Sequence, residues 1–118
     1  MTRINTIPVT ELEDKFLLAE YRELPRIAKL ARPLKSSEFV DTYRMGAGHV
    51  KFFYDKGEWL RKRFELEIVP ELVRRGFKPQ YTEYRNHPPA LCGDWAPNVD
   101  DEMVNASRID DRRNGRLK

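Results

Sequence analysis

The spacing of the apolar residues leaves this chain few ways to fold. Residues 9–33 read VTELEDKFLLAEYRELPRIAKLARP, and one broad arc of a helical wheel holds Phe16, Leu17, Leu24, Ile27, Ala28 and Ala31. The same spacing returns over residues 51–76, with Trp59, Leu60, Phe64, Ile68 and Leu72. No stretch shows a convincing alternation of apolar and polar residues, which a half-buried strand requires. The sequence therefore predicts an all-α fold.

Local signals indicate where the first helix begins, bends and ends. Thr10 and Glu13 have the spacing of a capping box. Pro33 lies where a helix stop is expected. Pro25 lies inside this stretch, removes one backbone donor and is expected to bend the helix.

Two further helices are predicted, joined by long ordered loops. Gly57 is a candidate start for the regular part of the second helix, and Pro70 should kink it. The third helix is predicted within residues 98–113, where Asn98 can cap the first turn. These signals give three main helices in all.

Length and composition bound the class of protein. The chain has 118 residues, one cysteine and a net charge of +3. We expect a single domain over residues 1–118, with residues 113–118 as a frayed tail. No Cys/His spacing indicates a metal site, so neither a metal nor another cofactor is expected. Without a long apolar run or a signal-peptide pattern, we expect a cytoplasmic monomer with no membrane span.

The stretch AEYRELPR, residues 19–26, places one carboxylate, Glu23, between Arg22 and Arg26. The side of the helix opposite the apolar arc gathers Lys15, Arg22, Arg26 and Lys29. A solvated helix face with an ion pair between Glu23 and Arg26 explains this pattern, and such a pair contributes only about 0.2–0.5 kcal/mol. A site that binds phosphate and performs acid/base chemistry explains it equally well. The residues alone leave both interpretations open.

Three ordered blocks resemble a known family. They are MTRIN at residues 1–5, LLAEYRELPR at residues 17–26 and GAGHVKFFYDK…LRKR at residues 46–63. Together they closely resemble the phage-type endonuclease V family, the pyrimidine-dimer DNA glycosylases with abasic-site lyase activity. The resemblance continues through GDWAP to ASRIDDR, which ends at Arg112. It implies a mostly helical single domain, in agreement with the apolar spacing.

The resemblance also implies a mechanism. The initiator methionine is removed, and the α-amine of Thr2 attacks C1′ of the damaged nucleotide. The base leaves, an imine forms and β-elimination cuts the strand on the 3′ side. An α-amine has a reference pKa of about 7.7–8.0, so part of it is neutral and nucleophilic near neutral pH. Glu23 is implied as the carboxylate that manages protons during these steps.

The DNA contacts follow from the same resemblance. Arg22 and Arg26 are expected to bind phosphates that flank the lesion, and Arg3 to contact the backbone beside the nucleophile. Further phosphate contacts are expected from Lys15, Arg108 and Arg112. Tyr21 either lines the site or packs in the core. His49 either contacts the backbone near the site or is a buried structural histidine. Residues 61–63, RKR, are either a secondary DNA surface or a solvated face, and the solvated face is the favoured interpretation.

The expected partner is damaged double-stranded DNA, and two alternatives stay open. The best-known phage enzyme has an aromatic, basic C-terminal segment tied to recognising pyrimidine dimers, and the residues NGRLK at 114–118 contain no aromatic. The lesion is therefore either a pyrimidine dimer or another one, such as an abasic or ring-opened purine site. The remaining alternative is a helical DNA-binding module without catalysis.

Overall fold

A computed structural model describes residues 3–113, and it is helical as the sequence predicts. The described residues contain no β-strand, and an isolated antiparallel bridge joins Lys56 to Cys92. The all-α fold is therefore confirmed, with three long helical regions and one short helix between the first two. No helix in this part of the chain has both the length and the apolar character of a membrane span.

The first long region covers residues 14–30. It consists of α1 (Asp14–Glu23), a 3-10 turn (Leu24–Arg26) and α2 (Ile27–Leu30). The change of hydrogen bonding falls at Pro25, as expected for a residue without an N–H group. The predicted capping box is wrong, because Glu13 is the N-cap and makes no side-chain cap bond, while Thr10 lies in a separate 3-10 turn. The helix ends before Pro33, as predicted.

The second long region follows the short helix α3 (His49–Phe52) and covers residues 57–74. Its parts are α4 (Gly57–Lys62), a π-helical segment (Arg63–Ile68) and α5 (Val69–Arg74). The start at Gly57 agrees with the sequence. The π-helical segment lies just before Pro70, which has no N–H group with which to continue the α-helical pattern.

The third long region is a single helix, α6 (Val99–Arg113). Asn98 caps it as predicted: its Oδ1 atom accepts the N–H of Asp101 at 2.8 Å, and Asp101 Oδ2 accepts the N–H of Asn98 at 2.9 Å. Asn105 and Ile109 on this helix are buried, whereas Val99 is exposed. One side of α6 thus faces the rest of the protein.

The core forms where the long regions meet. Its most deeply buried apolar residues are Ile4, Leu17, Leu24, Ile27, Phe53, Leu60, Phe64, Ile68, Leu72 and Ile109. Aromatic rings form a second group between α3 and the loop that precedes α6, where Trp95 packs against Tyr43, Phe52, Phe53 and Trp59. Both groups belong to one cluster, which also packs the residues that follow Arg3.

Candidate active site

The N-terminal segment, residues 3–7, has no regular secondary structure and is held by side chains from distant parts of the chain. The N–H of Ile4 donates to His49 Nε2 at 2.8 Å, and Tyr43 donates its hydroxyl to the carbonyl of Ile4 at 2.8 Å. The N–H groups of Thr6 and Ile7 both donate to Asn105 Oδ1, at 2.8 and 3.2 Å. Helices α3 and α6 therefore fix the path of this segment.

Glu23 accepts a hydrogen bond from the backbone of Arg3, the first residue of that segment. The N–H of Arg3 donates to Glu23 Oε2 at 3.1 Å, across 20 positions of sequence. Because this nitrogen is bonded to the carbonyl carbon of residue 2, the carboxylate lies beside the link between residues 2 and 3. Thr2 itself lies outside the described residues.

Glu23 opens onto a pocket of about 140 Å³. We call this the Glu23 pocket; its lining residues are Arg3, Asn5, Phe16, Ala19, Glu20, Glu23 and Arg112. The four that belong to α1 lie three or four positions apart, so they share one face of that helix. Arg112 comes from α6, so the two ends of the described chain meet here. No cluster of His, Cys, Asp and Glu within residues 3–113 could hold a metal ion.

Positive charge concentrates beside this pocket. Burial lowers the pKa of Arg3, and the like charges of Arg112 and Arg108 lower it further. The carboxylate of Glu23 opposes that shift. Three of the arginines predicted to bind DNA therefore lie close enough to repel one another, and an anion placed among them would relieve that repulsion.

Salt bridges divide the described arginines into two groups. Carboxylate partners within the described part of the chain are found for Arg32, Arg44, Arg61, Arg63, Arg74, Arg75 and Arg85. No such salt bridge is formed, among described residues, by Arg3, Arg22, Arg26, Arg108 or Arg112. The second group is the set of arginines that the sequence predicts to bind DNA.

The predicted DNA-binding residues of the first long region do not all face the Glu23 pocket. Arg22 and Arg26 are exposed. Arg22 borders a second, more open pocket of about 370 Å³ between this region and residues 77–81. Lys15 is exposed, with its Nζ 5.1 Å from the centroid of the Phe16 ring. Since Phe16 lines the Glu23 pocket, Lys15 lies near its edge.

Tyr21 lies outside the Glu23 pocket. Its ring packs against the rings of Phe64 and Tyr81, with centroid distances of 5.5 and 4.6 Å. Its hydroxyl donates to the carbonyl of Tyr81 at 2.9 Å and accepts the N–H of the same residue at 3.1 Å. Of the two interpretations of this residue, the geometry favours packing.

The interpretation of residues 61–63 as a solvated face is wrong for Arg63. Its side chain is only 2% exposed and binds Glu20 through Nε and Nη2, at 2.9 and 3.1 Å. Burial alone would lower the pKa of Arg63, but the charge and hydrogen bonds of Glu20 outweigh it and hold the pKa above its ordinary value. A signal was available, because Glu20 and Arg63 both fall on the apolar side of their helices, where a charge needs a buried partner.

His49 is the buried structural histidine that the sequence left as one alternative. Its Nδ1 lies 2.7 Å from the carbonyl of Arg44, so this nitrogen carries the proton and Nε2 is free to accept from Ile4. Burial lowers the pKa of His49, and the bond to the Arg44 carbonyl opposes that shift. The neutral form therefore anchors the N-terminal segment.

Residues 1–85 match the protein-family model described as pyrimidine dimer DNA glycosylase. The matched residues include Arg3, Glu20, Glu23, His49 and Arg63, whereas α6 lies beyond them. The match supports a DNA glycosylase function and DNA as the substrate. This chain belongs to the pyrimidine dimer DNA glycosylase family.

Proposed function

We propose that this glycosylase also cleaves the DNA strand, as an abasic-site lyase that forms an imine between the lesion sugar and the α-amine of Thr2. The enzyme acts on damaged duplex DNA as a single-domain monomer. The observation that supports the proposal best is the bond from the Arg3 amide to Glu23, since it brings a half-buried carboxylate next to the start of the chain.

The proposed reaction begins with removal of Met1, which frees the Thr2 amine. The amine nitrogen bonds to C1′ of the damaged nucleotide, the bond from C1′ to the base breaks, and the base leaves with a proton. Loss of the amine proton and opening of the sugar ring give the imine. Removal of a proton from C2′ then expels the 3′ phosphate, and water releases the enzyme from the cleaved strand.

Glu23 is the acid/base group of this proposal. Its carboxylate accepts a bond from the Arg3 backbone, and no side-chain donor in the described part of the chain binds it. It therefore has capacity to take the amine proton, to protonate the sugar ring oxygen and to accept the C2′ proton in turn. A negative charge here also stabilises the positive charge that develops on the sugar.

The arginines that form no salt bridge with another described residue supply the DNA contacts. In this proposal Arg3, Arg108 and Arg112 bind phosphates around the Glu23 pocket. Arg22, Arg26 and Lys15 extend the contact along the first long region. The sugar carbon is reached by distorting the duplex and extruding a nucleotide, which costs a few kcal/mol. Tyr21 supports this surface from the core.

Borohydride trapping tests the mechanism. Fully processed protein, verified by intact mass to lack Met1, is mixed with an abasic duplex and reduced. We expect a covalent protein–DNA adduct, and we expect it to disappear when the N-terminus is acetylated. An enzyme that binds the duplex but forms no adduct would favour a DNA-binding module without lyase chemistry.

Substrate comparison tests the lesion. Duplexes that carry a pyrimidine dimer, an abasic site or a ring-opened purine are incubated separately with the same protein. Preferential release of the base from the dimer duplex supports the dimer as the substrate. Preferential cleavage of the ring-opened purine duplex would assign this chain to the alternative lesion class.

A further inference from the structure

Four buried side chains close a ring of hydrogen bonds around the N-terminal segment. We call it the polar ring; it contains Asn5, Glu20, Arg63, Asn105 and the backbone of Ile7. Asn105 Oδ1 accepts the N–H of Ile7, and Asn105 Nδ2 donates to Asn5 Oδ1 at 2.8 Å. Asn5 Nδ2 donates to Glu20 Oε1 at 2.7 Å, and Glu20 binds Arg63. Arg63 Nη1 returns to the carbonyl of Ile7 at 2.9 Å.

The chemistry of the groups fixes the direction of every bond in the polar ring. A backbone N–H can only donate, so it must meet the oxygen of Asn105 and leave the Nδ2 atom for Asn5. A guanidinium can only donate as well, so Glu20 must accept from both Arg63 and Asn5. If the side-chain amide of Asn5 or Asn105 were flipped, so that its oxygen and nitrogen changed places, two donors or two acceptors would face each other.

The members of the polar ring are shielded from water. Exposure is 0% for Asn105, 1% for Glu20 and 2% for Asn5 and Arg63. No buried side-chain nitrogen or oxygen in the described part of the chain lacks a partner. A slip of the N-terminal segment by one residue would break bonds to Asn105 and Arg63 together and leave buried groups unpaired. Apolar packing is not directional, so by itself it would distinguish the correct register of this segment from a slipped one less strongly.

We propose that the polar ring is a positioning device for catalysis, with Asn105 as its key positioning residue. By fixing the register of residues 5–7, it determines where the backbone of Arg3 lies against Glu23. This inference rests on the proposed imine mechanism, because only a reaction of the N-terminal amine needs the segment aligned in this way. It gives α6, which lies beyond the family match, a part in the chemistry.

The test compares Asn105→Ala with Ile109→Ala. Both residues are buried on α6, one helical turn apart, and Ile109 is outside the polar ring. Two quantities are measured under conditions in which thermal melts show both variants equally folded. They are the rate of borohydride-trapped adduct formation at saturating abasic duplex, and the Kd for a duplex with an unreactive tetrahydrofuran abasic analogue.

We expect Asn105→Ala to lower the trapping rate roughly 10- to 100-fold, since small misplacements of reacting groups have effects of that size. Its Kd for the analogue should stay close to that of the wild type, and Ile109→Ala should keep the wild-type trapping rate. Equal losses of rate in both variants, or none in Asn105→Ala, would overturn the inference.

A second variant keeps the test decisive. Asn5→Ala opens the polar ring between Asn105 and Glu20 while leaving the backbone N–H groups of Thr6 and Ile7 bonded to Asn105. It should show the same loss of trapping rate, and a wild-type rate would contradict the inference. If the wild-type protein with a processed N-terminus forms no adduct, the imine mechanism itself fails. If the wild type forms the adduct and Asn105→Ala forms it at the same rate, the positioning role of the polar ring is refuted and the imine mechanism stands.

Discussion

Glu20 and Glu23, three positions apart on α1, are suited to different tasks. Glu20 is buried and its two oxygens accept from Arg63 and Asn5, so its acceptor capacity is committed to structure. Glu23 is half-buried and receives one backbone N–H in the described structure. The same residue type thus holds the fold at one position and remains available for proton transfer at the next turn.

Glu23→Gln should separate binding from cleavage. The amide keeps the shape of the side chain and an oxygen that can accept the Arg3 N–H, but it cannot take up a proton. We expect strand cleavage to fall by about 10²-fold or more, the range found for a lost acid/base group. Abasic-duplex binding, measured by fluorescence anisotropy, should be preserved. Glu58→Gln, which alters a carboxylate paired with Arg61, is the matched control and should cleave normally.

His49 makes the stability of the protein depend on pH. Its pKa is lowered by burial in the folded state, whereas an unfolded imidazole has a pKa of about 6.5. The unfolded chain therefore binds this proton more readily. The contribution of His49 to stability is complete above the unfolded pKa and is lost as the pH falls from that value through the lower folded pKa.

The free energy of unfolding should accordingly decline as the pH is lowered from about 7.5 to 5.5. In His49→Gln, whose side-chain oxygen can accept the Ile4 N–H, that part of the decline should be absent. Urea unfolding at several pH values measures the difference between the two proteins. Parallel curves over this range would show that His49 does not carry the dependence.

At the scale of the elements, the start of α4 depends on a close approach at Gly57. A Cβ atom there would lie 2.5 Å from His87 Cδ2 and 3.0 Å from Cys92 Sγ. The imidazole has little freedom to move, since its nitrogens are bonded to the Tyr84 hydroxyl at 2.8 Å and to the Tyr54 carbonyl at 2.9 Å. The loop that precedes α6 is therefore packed directly on this helix end.

Gly57→Ala brings two effects into opposition. Alanine in place of glycine favours a helix by up to about 1 kcal/mol, whereas the clash costs about 1–3 kcal/mol. We expect a net loss of stability in thermal melts. In a His87→Ala background the clash is reduced, so the same substitution should become neutral or stabilising. A loss of equal size in both backgrounds would mean that His87 is not the obstacle.

The sequence predicts elements well where a single residue marks the boundary. Gly57 and Asn98 begin their helices, and the first long region ends before Pro33. The predicted capping box of the first helix is wrong because Thr10 belongs to its own 3-10 turn and Glu13 is the N-cap. The position of Arg63 on the apolar side of its helix indicates that its charge needs a buried partner, but that partner is Glu20, 43 positions away. Local patterns do not contain that contact.

At the scale of the whole molecule, the arginines whose side chains the structure describes fall into two sets. Seven of them have their charge compensated by salt bridges, and those that form no salt bridge with another described residue are the ones predicted to bind DNA. The sequence identified this set through the family resemblance. It could not show that Arg3, Arg108 and Arg112 lie near one another, because the approach depends on how α6 packs against the N-terminal segment.

The salt dependence of DNA binding distinguishes an arginine that contacts phosphate from one that is paired within the protein. Each phosphate contact releases counterions, so removing one should reduce the slope of log K against log salt by about 0.9 for duplex DNA. Arg112→Gln should show that reduction. Arg61→Gln, a change at an arginine paired with Glu58 and Glu65, should leave the slope unchanged. Equal slopes for the two variants would contradict the assignment of Arg112 to the DNA surface.

The N-terminal segment is held by residues from distant parts of the sequence, and this determines when it can dock during folding. Ile4 is held by a residue 45 positions away and Thr6 by one 99 positions away, so the segment cannot dock until the chain between them is in place. Contacts of such long sequence separation form late, after the local turns of the helices. During refolding from urea, helical circular dichroism should therefore return before the capacity to form a borohydride-trapped adduct. A newly made molecule acquires its helices first and its chemistry last, although the residue proposed to react is among the first to be synthesised.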